Sequence, residues 1–377
     1  MPQKYDVIVV GLGAMGSAAV YHLASSGLTI LGIDRFKPPH ELGSSHGQTR
    51  IIREAYFEHP VYVPIVQRAY ALWAELQESV GEKLIVQTGG LMIGPPNGVV
   101  VRGARHSAEL HELTHEYLSA DEIHARFPAL KPGKGMTGVL EPRAGVLFPE
   151  LCVDAHLKSA ERAGATLLYD RQVVCWEPAG DGVRVRTTDA EYHAAQLVLS
   201  AGSWVSNLVP DLEMPLTVER QTLFWFMPRE AEVWSPERCP VHLWEYRGGK
   251  FFYGFPDLGH GVKLARHHEG KAVDPDTVSR EATLHEADGL RRVTRPFVSP
   301  LGPCVHKTVC LYTNTPDGHF LIDRHPAYPQ VLLVSPCSGH GFKFSAAIGE
   351  IVSDLVRLGR SQFDLSLFRY RWSQAAR

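Results

Sequence analysis

The chain has 377 residues, of which 44% are apolar and 21% are charged, and its 38 basic and 41 acidic residues give a formal net charge of −3. This length predicts about two domains, and the composition excludes wholesale disorder. The charge balance argues against a protein that depends on a strongly basic surface to bind nucleic acid.

The sequence carries no pattern typical of export or of membrane insertion. An apolar strand pattern begins within a few residues of the start, and no run approaches the roughly 18–20 apolar residues that span a bilayer. The six cysteines are scattered without a CxxC pair, which predicts neither a zinc cage nor a disulfide framework. We therefore expect a reduced, cytoplasmic protein with no metal and no membrane or nucleic-acid partner.

The first forty residues carry the clearest pattern. The β-branched run 5–10 predicts a strand, and it is followed by the segment GLGAMG at 11–16. Residues 17–26 predict a helix, and residues 28–33 predict a second buried strand with Asp34 at its end. A strand, glycine turn, helix, strand and acid within about thirty residues predict a dinucleotide-binding site.

Each glycine of this unit has a physical task. Gly11 allows the tight turn, Gly13 allows close approach of a pyrophosphate, and Gly16 allows the helix to pack closely on the strand. The N-terminus of the helix offers free N–H groups and a positive dipole to phosphates. Asp34 is placed to accept hydrogen bonds from a ribose.

Later parts of the chain predict a divided nucleotide-binding domain. Residues 195–200 and 330–334 predict further buried strands, and a helix follows from about 344 to 357. Other stretches alternate as strands of an antiparallel sheet do, namely 84–94, 221–227, 250–255 and 261–265.

The predicted fold class is α/β, with a discontinuous Rossmann-like domain and an α+β second domain rich in mixed β-sheet. The predicted nucleotide-binding segments are 1–85, 145–215 and 305–377, and the predicted catalytic segments are 86–144 and 216–304.

Two features favour FAD over NAD. The last apolar strand and glycine loop, at 330–343, lie far along the chain from the first strand, whereas a nicotinamide-dependent dehydrogenase usually completes its nucleotide domain in one block. The segment 43–53 is polar, basic and flanked by glycine, which suits a second set of pyrophosphate and ring contacts. The alternative for this segment is an ordinary surface loop.

Four motifs carry a resemblance to a known family: GLGAMGSAAVYHLA, PPHELGSSHGQTRIIREAY, CLYTNTPDGHFLID and SGHGFKFS. Together they resemble the monomeric sarcosine oxidases and N-methyltryptophan oxidases, which are FAD-dependent amine oxidases. The likeness is dense at 5–65 and 305–350 and thin between about 95 and 300. The resemblance implies a monomer with a split flavin domain, a catalytic domain over the flavin, and FAD attached covalently through a cysteine thioether.

The resemblance places the attachment at Cys310, just before the Tyr-Thr-x-Thr segment. A thioether to the flavin requires a thiolate, which a nearby cation would favour. Cys337 is the rival, and either cysteine could instead be a buried structural thiol.

The resemblance also implies roles for several charged residues. Arg53 and Lys343 match substrate-binding positions, and a guanidinium with an ammonium suits a carboxylate. Lys263 resembles the lysine that activates dioxygen, and its alternative is an edge-strand lysine that discourages aggregation. For Arg53, the alternative is a solvated surface charge.

His267 matches an active-site histidine, although the neighbouring His268 leaves that assignment open by one position. Tyr253 and Tyr312 match active-site aromatics, with sheet packing as their alternative. His46 and Arg50 match positions near the flavin, and we count them with the catalytic residues, whereas the role of His340 stays open. The expected cofactor contacts are Gly11, Gly13, Met15, Gly16, Asp34, Ser44, His46, Arg50, Val173, Gly202, Cys310, Gly339, Gly341, Phe342 and Lys343.

This sequence departs from the family pattern at Ser45, Gln48 and Glu54. The resemblance favours an oxidase of secondary amino acids, most specifically sarcosine, that consumes dioxygen and releases hydrogen peroxide. The alternatives are an oxidase of N-methyltryptophan or of a cyclic imino acid such as proline or pipecolate, a flavin dehydrogenase of the same fold, and a non-catalytic nucleotide-binding protein.

Overall fold

The computed structural model describes residues 4–335 and 337–372. Residues 1–3, 336 and 373–377 of the predicted nucleotide-binding segments lie outside this described part. The strands are β1 Lys4–Val10, β2 Ile30–Ile33, β3 Arg50–Ile52, β4 Ile85–Gln87, β5 Gly90–Gly94, β6 Glu116–Ser119, β7 Thr137–Glu141, β8 Gly145–Leu147, β9 Thr166–Leu168, β10 Val173–Ala179, β11 Gly182–Thr187, β12 Glu191–Leu199, β13 Thr217–Pro228, β14 Val241–Arg247, β15 Lys250–Asp257, β16 Val262–His267, β17 Lys271–Ala272, β18 Leu301–Asn314, β19 Leu321–His325 and β20 Tyr328–Ser335. The helices are α1 Ala14–Ser25, α2 Tyr62–Val80, α3 Val99–Leu110, α4 Ala120–Arg126, α5 Pro149–Arg162, α6 Val205–Leu208, α7 Leu284–Thr294 and α8 Ser345–Leu358.

One sheet, which we call the nucleotide sheet, is built around β1. Its strand order is β10-β11-β12-β1-β2-β9, with β20 beside β12 and β19 beside β20. The pairs of β1 with β2 and β12, of β2 with β9, and of β12 with β20 are all parallel. Helix α1 packs against both α5 and α8. Parallel strands covered by helices are buried, which explains the continuous apolar runs in the sequence.

A second sheet, which we call the mixed sheet, has the order β17-β13-β16-β15-β14-β5-β7-β6, and β18 pairs with β13. Most neighbours are antiparallel, but β14 and β5 run parallel. Its core contains large aromatic side chains, including Phe224, Trp244 and Phe252. A small sheet of β3, β8 and β4 completes the described strands.

The predicted fold class, a Rossmann-like α/β domain with a mixed-sheet second domain, is confirmed. Two details differ from the sequence-based expectation. The predicted boundary at 305 falls inside β18, which continues its pairing with β13 as far as Asn314. The stretch 84–94 forms two strands, because Gly89 adopts a left-handed φ of 72° and β4 and β5 then join different sheets.

None of the helices in the described part of the chain combines the length and the apolar character that a membrane crossing requires.

Gly16 provides a test of the close packing of α1 on the glycine turn. A Cβ atom at Gly16 would lie 1.7 Å from the backbone oxygen of Gly11, so Gly16→Ala must force the helix away from the turn. We expect a loss of about 1–3 kcal/mol in stability, measured as a lower thermal midpoint. Gly133→Ala is the control, because nothing lies within 4 Å of its added Cβ atom. Equal midpoints for the two variants would contradict this packing argument.

Candidate active site

A long cleft extends from the carboxyl ends of β1 and β2 to the mixed sheet. Gly11 and Asp34 line one end, and Tyr253, His267 and Lys343 line the other. All the predicted site residues line this cleft except Gly16, His46 and Lys263. The structure therefore brings together residues that are distributed over almost the whole sequence.

The dinucleotide end of the cleft is ordered by backbone N–H donors. Asp34 accepts hydrogen bonds from the N–H of Leu12, at 2.6 Å, and from the N–H of Phe36, at 2.8 Å. Gly11 has a φ of 90°, and a Cβ atom there would lie 2.6 Å from the oxygen of Ser200. The position of the Asp34 carboxylate and the conformation of the glycine turn are thus set by contacts within the protein. Gly16 lies behind the turn, where it permits the helix to pack.

The segment 43–50 lies directly against this turn. The Ser45 hydroxyl accepts a hydrogen bond of 3.0 Å from the N–H of Ala14, in the first turn of α1. Glu150 accepts hydrogen bonds from the backbone N–H groups of Gly47 and Gln48, at 2.7 and 2.9 Å. The alternative of an ordinary surface loop is wrong, since much of this segment is buried or lines the cleft.

Lys263 holds the same segment from the other side. Its ammonium donates to the carbonyl oxygens of Gly47 and Thr49, at 2.6 and 2.9 Å, and to the Thr49 hydroxyl at 3.0 Å. Burial lowers its pKa well below the ordinary value, and the Arg50 charge lowers it further, against an opposing effect of Glu150. Because β16 lies between β13 and β15, the interpretation of Lys263 as an edge-strand residue is wrong.

Lys263 faces a second cavity of about 160 Å³ rather than the main cleft. Trp225, Phe148 and Phe255 line this cavity, and Phe255 also lines the cleft. The ammonium nitrogen of Lys263 is 4.8 Å from the centre of the Phe255 ring. A single aromatic side chain therefore contacts both cavities and the buried lysine.

The two candidate cysteines both line the cleft, but their surroundings differ. The sulfur of Cys310 lies 3.5 Å from a guanidinium nitrogen of Arg50, which also donates to the carbonyl oxygen of Ser44 at 2.8 Å. The thiol of Cys337 is contacted by the Ser335 hydroxyl at 3.8 Å, and burial raises its pKa to about 11. Of the two thiols, that of Cys310 is therefore the one that lies against a guanidinium.

Of the two adjacent histidines, His267 lines the cleft. Its Nδ1 atom is 3.2 Å from the Tyr312 hydroxyl, and its ring packs edge-on against Tyr253. Burial lowers the pKa of His267 well below its ordinary value, so the ring is neutral near pH 7. The His268 ring instead lies 3.9 Å from the carboxylate of Glu219.

Arg53 is 3% exposed, so the alternative of a solvated surface charge is wrong. One guanidinium nitrogen donates to both carboxylate oxygens of Glu58, at 2.8 and 2.7 Å. The guanidinium also lies over the Tyr56 ring, 4.2 Å from its centre. Glu141 fixes the backbone that follows, because its carboxylate accepts the N–H groups of residues 54 and 55 at 2.6 Å each.

Lys343 is buried beside the same tyrosine. Its ammonium donates to the carbonyl oxygen of His340 at 2.6 Å and to the Tyr56 hydroxyl at 3.3 Å. Burial and, to a smaller extent, the Arg53 charge lower the pKa of Lys343 to about 7, against an opposing effect of Glu58.

Sequence reasoning missed Tyr56, Glu58 and Glu141. Glu58 follows Arg53 by five residues in one short loop, a spacing that could have suggested an ion pair. Tyr56 lies within the motif that carries the resemblance, but nothing in its spacing distinguished it from other buried aromatics. Glu141 is distant in sequence from the loop that it holds and carried no local signal.

This arrangement defines a class of protein: a dinucleotide-binding protein whose cleft begins at the glycine turn and ends at the buried cations Arg53 and Lys343. The residues present fit FAD. Gly11 and Gly13 present bare backbone to the cleft and Asp34 presents a carboxylate to it. These are the groups that the pyrophosphate and the ribose of a dinucleotide contact.

Known proteins agree with this class. Residues 6–355 match the family model of FAD dependent oxidoreductases. The chain is 42% identical to a monomeric sarcosine oxidase of Streptomyces avermitilis, over 100% of both chains. It is 34% identical to an N-methyl-L-tryptophan oxidase of Citrobacter koseri, over 97% of this chain and 98% of that one. Among solved structures it superimposes on NikD, described as an unusual amino acid oxidase, with a TM-score of 0.85, 23% identity and 98% of each chain covered.

The chain therefore belongs to the FAD dependent oxidoreductase family, among the relatives of monomeric sarcosine oxidase and N-methyltryptophan oxidase. The resemblance drawn from the four sequence motifs is confirmed. The protein is a flavin-dependent enzyme with the fold of the amine and amino acid oxidases.

Proposed function

We propose that the protein is an oxidase of N-methyl amino acids whose substrate is sarcosine, which reacts with dioxygen and water to give glycine, formaldehyde and hydrogen peroxide. One observation carries this proposal: Arg53 and Lys343 contact the same tyrosine, Tyr56, and both line the cleft that begins at the dinucleotide turn. Two cations at the end of a cofactor cleft suit the carboxylate of a small amino acid. The names of the relatives support the N-methyl group as the site of oxidation.

The two cations have a second consequence for the substrate. A secondary amine is oxidised only when its nitrogen lone pair is free, so it must react without its extra proton. Arg53 and Lys343 disfavour a third positive charge close by, and they therefore lower the pKa of the bound amine. FAD supplies the hydride acceptor and, after reduction, the electron donor to dioxygen. Neutral His267 and the Tyr253 and Tyr312 hydroxyls line the reaction chamber and orient the substrate.

A substrate panel tests the proposed reaction. The purified enzyme is given sarcosine, N-methyltryptophan, proline and pipecolate in air, and hydrogen peroxide is measured. We expect the highest kcat/KM with sarcosine. Faster turnover of a cyclic imino acid would replace the proposed substrate, and flavin reduction without peroxide would indicate a dehydrogenase.

We also propose that the enzyme is a monomer, as the names of several relatives suggest, and acts in the cytoplasm.

The proposed covalent link can be tested by substitution of each candidate cysteine. We propose that FAD is bound through the sulfur of Cys310, because Arg50 lies against that sulfur. Cys310→Ala should give protein that releases its flavin on acid precipitation, whereas Cys337→Ala should give a yellow precipitate. A flavin-bearing peptide that contains Cys337 would reverse the assignment.

Lys263 is proposed to act in the oxidative half of the reaction, where negative charge develops on oxygen beside the reduced flavin. Lys263→Met removes the charge and keeps most of the side-chain volume. We expect reoxidation by dioxygen to slow by orders of magnitude, with a much smaller change in anaerobic flavin reduction. Stopped-flow measurement separates the two halves, and the control is Lys250→Met, whose lysine side chain is half exposed. Unchanged reoxidation in Lys263→Met would show that oxygen is activated elsewhere.

The carboxylate site predicts a pH dependence of ligand binding. Because the pKa of Lys343 is about 7, the lysine loses its proton as the pH rises through 7, and a bound carboxylate favours the protonated form. The affinity for acetate should therefore be level just below pH 7, where acetate is still ionised, and fall by up to about tenfold per pH unit above 7. Titration of the flavin absorbance measures this affinity, and acetamide, which carries no charge, is the control. Acetate affinity that stays level from pH 6 to 9 would contradict the role of Lys343.

A further inference from the structure

His340, whose role the sequence leaves open, takes part in a hydrogen-bond chain with a defined direction. Its Nε2 atom is 2.9 Å from the carbonyl oxygen of Gly318, which can only accept, so Nε2 carries the proton. Burial lowers the pKa of His340 to about 3, so the ring is neutral and its Nδ1 atom is an acceptor. The Tyr56 hydroxyl lies 2.6 Å from Nδ1 and 3.2 Å from the His340 carbonyl oxygen, and its one hydrogen is directed to the nearer acceptor, Nδ1.

This direction determines what the Tyr56 oxygen offers to Lys343. Since its hydrogen is committed to His340, the hydroxyl oxygen is free to accept from the Lys343 ammonium at 3.3 Å. A second ammonium hydrogen is taken by the His340 carbonyl oxygen at 2.6 Å. An ammonium has three donors. With two of them fixed, the third remains for a ligand in the cleft that Lys343 lines.

Tyr56 also contacts the other cation of the site. The centre of its ring is 4.2 Å from the guanidinium carbon of Arg53 and 5.1 Å from the ammonium nitrogen of Lys343. The ring edge packs on Phe344, and the His340 ring stacks on Phe320 at 4.9 Å. The tyrosine is therefore held by packing on one side and by the histidine at its hydroxyl.

We propose that Tyr56 and His340 are positioning residues for carboxylate binding: His340 turns the Tyr56 hydroxyl into an acceptor, and the hydroxyl then holds the Lys343 ammonium in its charged form, with one N–H directed to the ligand. This inference rests on the proposed function of Lys343 as a carboxylate ligand. It adds two residues that act on the ligand through Lys343.

The charges around Lys343 show why one more acceptor matters. Arg53 and Arg50 disfavour its protonated form, and Glu58 favours it. The neighbouring histidines, His340 and His267, are neutral near pH 7 because burial lowers their pKa values. From α2, Trp73 donates to the Lys343 backbone oxygen and carries no charge. The charged form therefore depends on Glu58 and on the two oxygen acceptors.

Tyr56→Phe in the flavin-loaded enzyme tests the inference, because it removes the hydroxyl and keeps the ring over both cations. At pH 7.5 we expect acetate to bind on the order of tenfold more weakly, as for loss of one hydrogen bond to a charged group. The affinity should recover as the pH is lowered, so the pH midpoint of binding moves to a more acidic value. A purely structural defect would weaken binding equally at every pH.

Tyr62→Phe is the matched control. Tyr62 is buried next to Tyr56, and its hydroxyl also contacts a histidine, His319, at 3.1 Å, but no contact joins it to Lys343 among the described hydrogen bonds. Its pH midpoint should equal that of the unaltered enzyme. If the midpoints of Tyr56→Phe and Tyr62→Phe agree, the inference is overturned.

Substitution of His340 provides an independent test of the proposed hydrogen-bond chain. His340→Leu removes the acceptor, so the Tyr56 hydroxyl must compete for the carbonyl oxygen that Lys343 uses, and the midpoint should move in the same acidic direction. His340→Asn keeps an acceptor near the Nδ1 position and should restore the midpoint. In the Tyr56→Phe background, His340→Leu should cause no further shift. Equal and additive shifts would overturn the proposed chain.

The same measurements distinguish a failure of the proposed carboxylate site from a failure of the inference about Tyr56 and His340. If acetate binds to the unaltered enzyme without any dependence on pH, the proposed function of Lys343 fails and the inference fails with it. If the unaltered enzyme shows the pH dependence and neither Tyr56→Phe nor His340→Leu moves it, the inference alone is overturned.

Discussion

Buried positive charge is the constraint on which the rest of this structure depends. Lys263, Arg53 and Lys343 are buried beside the cleft and Arg50 is partly buried there, so each needs oxygen acceptors to compensate for lost water. The segment 44–58 supplies acceptors to all four, through its carbonyl oxygens, the Glu58 carboxylate and the Tyr56 hydroxyl. One short polar segment thus allows a cationic site to exist in an apolar fold.

The sequence predicted what is encoded locally. The dinucleotide turn and Asp34 lie within one strand–helix–strand unit, so spacing alone defines their chemistry. The positions of Arg53 and Lys343 came from resemblance, but their connection through Tyr56 could not be predicted, because Tyr56 and His340 are 284 residues apart. Hydrogen-bond direction in such a pair depends on a third partner, the carbonyl oxygen of Gly318, which no sequence pattern identifies.

The strand β18 shows why the domain boundary was hard to predict. It is 14 residues long and pairs with β13 over most of its length, so it belongs to the mixed sheet, although the predicted boundary at 305 placed most of it in the nucleotide-binding part. Cys310 lies on this strand opposite Gln221, and its sulfur reaches Arg50 of the small sheet. A residue of the mixed sheet thereby lines the cleft in contact with Ser44 and Arg50.

The segment 47–49 also has a mechanical consequence. Glu150, on a helix that packs against α1, binds its N–H groups, while Lys263, on a central strand of the mixed sheet, binds its carbonyl oxygens. The segment 47–49 therefore links the nucleotide-sheet part of the molecule to the mixed sheet, with a carboxylate bound on one side and an ammonium bound on the other. A hinge motion that parted the two sheets would have to break these shielded bonds together. Opening of the cleft by separation of the two sheets therefore carries the free-energy cost of leaving these buried polar groups unpaired.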